Sequence, residues 1–98
     1  MKNCLSVLVP LYNEQAFIGE LLSRVLAAPL PNGLDREIIV VDDCSTDGSA
    51  DIVANMAGRH PEIQLVRQPK NLGKGAAIRR AIELARGEYS IVQDADRR

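Results

Sequence analysis

The chain has 98 residues, a formal net charge of −1 and a hydrophobic content of 46%. This length and composition are typical of one small folded domain, spanning residues 1–98. Twelve basic and thirteen acidic side chains argue against a nucleic-acid-binding protein, which carries a basic excess on one face. No apolar run approaches the roughly 20 residues of a membrane span, so we expect a soluble, cytoplasmic protein.

The first third of the chain predicts a buried strand followed by an amphipathic helix. Residues 4–10 are almost wholly apolar and include β-branched valines, as strands covered on both faces do. Apolar residues then recur at helical spacing over residues 18–26. Asn13 is predicted to cap the N-terminus of this helix, with Glu14 in its first turn.

The rest of the chain continues this alternation and ends on a fourth strand. Residues 37–41, 63–67 and 89–93 predict strands, and helices are predicted around Val53 and Ala81. Gly87 is expected to close the third helix. Alternating strands and helices indicate right-handed crossovers, so the predicted fold is α/β, a Rossmann-like βαβαβαβ unit with a four-stranded parallel sheet.

Two cysteines lie at opposite ends of the first two predicted strands. Cys4 begins the first strand and Cys44 follows the second. In adjacent parallel strands about six residues, or roughly 20 Å, separate them, whereas a disulfide needs α-carbons within about 7 Å. We therefore expect no disulfide and interpret Cys4 as a small core residue.

Polar side chains follow the C-terminal ends of all four predicted strands. In an open parallel sheet these ends share one rim, where ligands bind at the point at which the strand order reverses. The sequence therefore predicts a ligand site on this rim. The polar segments are Tyr12-Asn13-Glu14, Asp42-Asp43, Asn71 to Gly75, and Asp94 with Asp96.

Asp94 and Asp96 are the candidate metal ligands. Residues i and i+2 of an extended segment face the same side, which puts the two carboxylates about 6–7 Å apart. One divalent cation can bridge that span, whereas without a cation the two charges repel by roughly 2–3 kcal/mol at an effective dielectric constant of 20. The alternative interpretation is that Asp-Ala-Asp is a solvated loop.

The other rim motifs leave alternatives open. Two interpretations of Asp42-Asp43 stay open: either one carboxylate accepts a hydrogen bond from a nucleotide base or ribose while the other caps the following turn, or both cap that turn. The glycine-rich segment around Lys74 matches neither the dinucleotide fingerprint nor the Walker loop, so Lys74 is either a phosphate contact or a surface lysine at a helix start. Ser45 and Ser49 have no partner histidine nearby, which excludes a hydrolase triad.

Four motifs in this order resemble one enzyme family. VPLYNE, EIIVVDDCSTDGS, NLGKGAAI and QDAD are similar to the nucleotide-binding half of family 2 inverting glycosyltransferases of the GT-A fold, and within it to polyprenyl-phosphate (dolichyl-phosphate type) mannose or glucose synthases. The resemblance covers essentially the whole chain. It implies transfer of a sugar from a UDP- or GDP-sugar to an acceptor, polyprenyl phosphate in that subgroup. We expect the sheet order 3-2-1-4.

The resemblance also implies roles for individual residues. Pro10, Tyr12 and Glu14 would lie around the nucleotide base and ribose, and Asp43 would accept a hydrogen bond from the base. Asp94 and Asp96 match the family's DxD motif, which holds Mg²⁺ or Mn²⁺ against the donor diphosphate. The candidate nucleotide-binding residues are Pro10, Tyr12, Glu14, Asp43, Lys74 and Asp94, and the candidate metal ligands are Asp94 and Asp96.

The chain departs from the family pattern after the DxD motif. Arg97 and Arg98 stand where these enzymes continue with an apolar residue and then an acidic residue or glutamine. The resemblance implies that the acceptor-binding half and the catalytic base lie downstream. Residues 1–98 are therefore expected to be a truncated donor-binding domain that is inactive alone, and full-length relatives to be membrane-associated. The apolar fourth strand is expected to be an exposed edge that self-associates.

Two other functions stand as alternatives. The first is a non-catalytic nucleotide-binding or regulatory module. The second is a receiver-type signalling domain, because VVDD is similar to its acidic pocket. A receiver needs the acidic pair after its first strand, whereas Asp42-Asp43 follows the second predicted strand.

Overall fold

The fold has three layers, with one parallel sheet between helices. The computed structural model describes residues 3–95 of the chain. The longest helices in this part have 11 residues, and none of its helices is long and apolar enough to cross a membrane. In chain order the elements are β1 (Cys4–Leu11), α1 (Ile18–Ala27), β2 (Asp35–Asp42), α2 (Ser49–Arg59), β3 (Ile63–Arg67), α3 (Lys74–Leu84) and β4 (Tyr89–Val92).

The strands pair in parallel in the order β3-β2-β1-β4. The central pair is β1 with β2, in register from Cys4 opposite Asp35 to Leu11 opposite Asp42. This confirms the predicted parallel sheet and its 3-2-1-4 order. Because all four strands run the same way, the polar segments that follow them lie on one rim.

The two central strands are buried on both faces, as their continuous apolar sequences predict. Val9 and Val40 pack against α1 and α2 on one face, while Ile39 and Val41 pack against α3 on the other. Each of these four side chains is fully buried. Burial of a side chain of this size contributes roughly 1.5–3 kcal/mol, so the two-sided core holds the rim firmly in place.

Strand β4 is an exposed edge of the sheet. Among the described strands it pairs only with β1, and all four of its residues are exposed. Tyr89 is 56% exposed, and Ile91 and Val92 are each 47% exposed. The exposed apolar edge is present as expected, although the strand ends one residue earlier than predicted, at Val92.

The start of α1 differs from its prediction. The helix begins at Ile18 after Phe17, and no side chain caps it. Asn13 was wrongly predicted as the cap. Its backbone has a φ of +49°, and its side-chain oxygen accepts hydrogen bonds from the backbone N–H groups of Thr46 and Asp47. These partners lie 33 and 34 residues away, so no local pattern revealed them.

Gly87 does not close α3 as predicted. The helix ends at Leu84 with Ala85 as its cap residue, and Gly87 does not adopt a positive φ. A β-carbon at position 87 would lie 2.5 Å from the Ser6 hydroxyl oxygen and 2.7 Å from the Cys4 carbonyl oxygen. The glycine is therefore required by the close approach of this segment to β1.

Both cysteines are free, as predicted. Cys4 is buried at the start of β1, which confirms its interpretation as a core residue. Cys44 follows the far end of β2, next to Asp43.

Candidate functional site

A cleft of about 390 Å³ lies on the rim at the C-terminal ends of the strands. Its walls come from the end of β1 and the loop after it, the end of β2, the start of α3 and the segment after β4. All six residues predicted to bind a nucleotide therefore line one cleft. The lining residues are Pro10, Leu11, Tyr12, Asn13, Glu14, Asp43, Asn71, Lys74 and Asp94.

Asp42 holds the turn that follows β2. Its fully buried carboxylate accepts hydrogen bonds from the Ser45 hydroxyl at 2.5 Å and from the Ser45 backbone N–H at 3.1 Å. Arg67 on β3 donates a further bond from Nε at 3.0 Å. Because Asp42 is fully buried and does not line the cleft, it stabilises the local structure.

Asp43 holds a different loop and still borders the cleft. One carboxylate oxygen accepts the backbone N–H of Leu72 at 2.8 Å, and the other accepts that of Gly73 at 2.9 Å. Each carboxylate oxygen has a second acceptor site, so Asp43 can bind a ligand donor while it holds the loop. Because Gly73 directly precedes Lys74, Asp43 also sets where α3 begins. The two adjacent aspartates therefore divide their roles, and only Asp42 caps the turn.

The β1–α1 loop is fixed against the β2–α2 loop by hydrogen bonds. The backbone N–H of Asn13 donates to the Ser45 hydroxyl, and that of Glu14 donates to the Ser49 hydroxyl, each at 2.9 Å. The Asn13 side-chain oxygen accepts the backbone N–H of Thr46 at 2.8 Å. One wall of the cleft is thus held in shape before any ligand binds.

Asp47 contributes to the same junction. Burial would raise the pKa of its carboxyl, but hydrogen bonds from the hydroxyl and backbone N–H of Ser49 and the backbone N–H of Gln15 outweigh burial and lower the pKa. The carboxylate accepts the Ser49 N–H at 2.9 Å and the Gln15 N–H at 3.3 Å. Asp47 is therefore ionised at neutral pH and holds both loops.

Lys74 and Asp94 form an ion pair at the cleft. Lys74 Nζ lies 2.5 Å from Asp94 Oδ2, which joins the first residue of α3 to the segment after β4. Both side chains are partly exposed, at 47% and 39%. In this structure Asp94 therefore pairs with the cationic side chain of Lys74. Asp96 lies outside the described residues, so its pairing with Asp94 stays a prediction.

The carboxylate of Asp94 suits a metal ion that also binds a phosphate. Within residues 3–95 no group of three or more His, Cys, Asp or Glu side chains could hold a metal ion by itself. Mg²⁺ in proteins is usually bound by one or two carboxylates together with substrate phosphates. Asp94 supplies one such carboxylate, and its contact with an ammonium group indicates that a positive charge is favourable there. The residues present fit Mg²⁺ or Mn²⁺ bound jointly with a diphosphate.

Three lining residues were not predicted as site residues. Leu11 ends β1, whereas the sequence predicts Asn13 as a helix cap and Asn71 only as part of a polar loop. The sequence indicates two of these residues only by their proximity to candidate site residues. Asn13 lies between two such candidates, and Asn71 lies three residues before Lys74.

Known proteins share this sequence and fold. Over 93 residues the chain is 43% identical to a dolichyl-phosphate beta-glucosyltransferase of Trichomonas vaginalis, covering 90% of this chain and 28% of that protein. It therefore spans little more than a quarter of the length of this curated relative.

Two solved structures superpose closely on the chain. A mannosyltransferase from Pyrobaculum calidifontis in complex with GDP-Man and Mn²⁺ has a TM-score of 0.83 at 34% identity, over 96% of this chain and 27% of that one. TarS of S. aureus in complex with UDP-GlcNAc has a TM-score of 0.83 at 35% identity, over 98% and 27%.

The family assignment follows from the sequence match and the fold. Residues 6–97 match the family described as Glycosyl transferase family 2, which is nearly the whole chain. The parallel sheet of order 3-2-1-4 and its structural neighbours confirm the expected GT-A fold. The chain belongs to glycosyl transferase family 2.

Proposed function

We propose that this chain is the donor-binding part of a glycosyltransferase that transfers a sugar from a UDP- or GDP-sugar to an acceptor. One observation carries the proposal, which is that six candidate residues spread over most of the sequence line a single cleft. The bound donors of the two structural neighbours, GDP-Man and UDP-GlcNAc, support it.

The nucleoside would bind at the side of the cleft formed by the β1–α1 loop. Pro10 and Tyr12 offer apolar surface for a base and ribose, and Glu14 offers a carboxylate for the ribose hydroxyls. Asp43 is 4% exposed, so a hydrogen bond from the base to its carboxylate would be largely shielded from water. Loops fixed by side-chain hydrogen bonds reduce the entropy cost of binding.

The diphosphate would bind between the start of α3 and the segment after β4. Lys74 supplies an ammonium group there, and Asp94 with Asp96 would hold Mg²⁺ or Mn²⁺. The Mn²⁺ in the Pyrobaculum complex supports this choice of metal. When bound, the metal would act as a Lewis acid that offsets the charge on the departing nucleoside diphosphate.

The acceptor in the full-length protein is proposed to be a polyprenyl phosphate. The support is the 43% identity to a relative named as a dolichyl-phosphate beta-glucosyltransferase. The matched segment makes up 28% of that relative, so we assign acceptor binding and the catalytic base to the remainder of such a protein. A positioned general base contributes typically 10²–10⁴-fold to a rate, so the 98 residues alone are expected to bind donor without transferring sugar.

Titration of UDP and GDP with and without Mn²⁺ tests the proposal. We expect a dissociation constant near the millimolar range, about −4 kcal/mol, because the cleft is open to water, and we expect it to depend on metal. Asp94→Asn and Asp96→Ala should each abolish the metal dependence. Asp51→Asn, an exposed change on α2 away from the cleft, is the matched control. Nucleotide binding that is indifferent to Mn²⁺ and to Asp94 would contradict the proposal.

A further inference from the structure

The Lys74–Asp94 ion pair occupies the place where the metal is proposed to bind. The 2.5 Å separation between Lys74 Nζ and Asp94 Oδ2 is a direct charge-assisted contact. The backbone of Lys74 is fixed independently, because Asp43 holds the N–H groups of Leu72 and Gly73 just before it. The fold thus places the backbone of Lys74 where its side chain can reach Asp94.

We propose that Lys74 is a built-in counter-ion that competes with the divalent cation for Asp94. The inference rests on the proposed function, because it takes Asp94 as a metal ligand. Without donor, the ammonium group balances the charge of Asp94, and a metal that arrives alone must displace it. A donor diphosphate gives the displaced ammonium a new anionic partner. Metal and nucleotide then strengthen each other's binding through the shared Lys74–Asp94 pair.

The strength of this competition follows from the exposure of the pair. Both side chains are partly solvated, at 47% and 39% exposure, and exposed ion pairs change an equilibrium by at most about five-fold. Lys74 is therefore expected to weaken metal binding without preventing it. A bond between its ammonium group and a diphosphate is also charge-assisted, so its loss should weaken nucleotide binding by at least about three-fold.

Lys74→Met tests the proposal because the two expected effects have opposite directions. In the absence of nucleotide, the Mn²⁺ affinity, measured by electron paramagnetic resonance of free Mn²⁺, should rise by about two- to five-fold. With Mn²⁺ present, the affinity for UDP or GDP should fall by at least about three-fold. A general loss of structure would lower both affinities. Circular dichroism and urea unfolding of each variant establish that it is folded.

Lys70→Met is the matched control. Lys70 is exposed and does not line the cleft. Its replacement by Met changes the net charge by the same amount as Lys74→Met. It should leave both affinities unchanged. If it raises the Mn²⁺ affinity as much as Lys74→Met does, the effect is one of net charge and the proposal is wrong.

Asp94→Asn separates this inference from the proposed function. Mn²⁺ binding that is lost in Asp94→Asn but unchanged in Lys74→Met would overturn the competition and leave the metal site intact. Mn²⁺ binding that survives Asp94→Asn, or that is absent even with nucleotide, would overturn the proposed site and the inference together.

Discussion

The backbone N–H of Asn13 donates a hydrogen bond to the hydroxyl oxygen of Ser45 at 2.9 Å, which joins two loops 32 residues apart in the sequence. The same hydroxyl donates to the buried carboxylate of Asp42 at 2.5 Å. A continuous set of hydrogen bonds thus runs from the interior, at the end of β2, to the loop that lines the cleft. The position of the loop that lines the cleft is therefore set by hydrogen bonds that begin in the buried core.

Ser45→Ala should lower the free energy of unfolding by about 1–3 kcal/mol. The change removes one hydrogen bond to the buried carboxylate of Asp42 and leaves the N–H of Asn13 without its acceptor. Urea unfolding followed by circular dichroism measures the loss. Ser90→Ala, at an exposed position on β4, is the control and should change stability by less than about 0.5 kcal/mol. Equal effects of the two changes would contradict the structural role of Ser45.

Asp43→Asn should affect both stability and nucleotide binding. An asparagine keeps one acceptor oxygen and turns an amide donor towards a second N–H, so one of the bonds to Leu72 and Gly73 is lost. Bonds to charged groups contribute about 1.5–3 kcal/mol, and we expect a loss of stability of that size. Nucleotide affinity should fall while Mn²⁺ still binds. An unchanged free energy of unfolding would show that the bonds from Asp43 to the loop are unimportant.

A buried glutamate lies at the end of the sheet opposite the cleft. Glu37 Oε2 accepts hydrogen bonds from the Ser6 hydroxyl at 2.5 Å and from the backbone N–H groups of Arg86 at 2.6 Å and Gly87 at 3.1 Å. Burial would raise the pKa of Glu37, but these bonds and the charge of Arg86 outweigh burial and lower the pKa below its ordinary value of 4.5. The carboxylate joins β1 and β2 to the α3–β4 connection.

The fold should therefore lose stability in acid through Glu37. Because the folded pKa is lowered, the ionised carboxylate stabilises the fold above the ordinary value of 4.5, and that contribution disappears as the pH falls through the lowered value. Glu37→Gln should be less stable than wild type at neutral pH, and the difference should shrink as the pH falls from neutral through 4.5 and below. Asp47 is present in both proteins, so its own titration cancels in the comparison. Urea unfolding across this range measures the difference, and a constant difference would contradict the assignment.

The exposed edge at β4 predicts self-association of the isolated chain. Unpaired backbone groups beside exposed apolar side chains are a template for pairing with another chain. Sedimentation velocity should show association that increases with concentration, and Ile91→Lys should reduce it. Ile82→Lys is a matched control, because Ile82 is 56% exposed but lies on α3. A monodisperse monomer of the wild-type chain at high concentration would contradict this prediction.

The sheet could be predicted because its signals are local. Each strand is a short apolar run, each helix has its own periodic pattern, and alternation of the two requires parallel pairing. The location of the site followed from the same fact, since residues as distant as Tyr12 and Asp94 both follow strand ends on one rim. The sequence therefore allows most residues of the cleft to be identified one strand at a time.

The contacts that hold the site together could not be predicted from local patterns. Asn13 looked like a helix cap because a cap and a bridge between loops use the same side-chain oxygen, and its partners lie more than 30 residues away. The sequence places Glu37 at the start of the second predicted strand, but its hydrogen-bond donors include residues 31 and 50 positions distant, which no local pattern reveals. The sequence predicts Gly87 as a helix cap, but a glycine is required at this position because the segment approaches β1 closely.

The most direct test of the donor cleft is an NMR titration of the ¹⁵N-labelled chain with GDP or UDP in the presence of Mg²⁺. We expect the backbone amide signals of residues around the cleft, such as Asn13, Glu14 and Gly73, to shift with ligand concentration. Replacing Mg²⁺ with Mn²⁺ should broaden the signals nearest Asp94. The amide of Gly87, at the opposite end of the sheet, should not move. Shifts centred on Gly87, or no shifts around the cleft at millimolar nucleotide, would contradict the assignment of this cleft as the donor site.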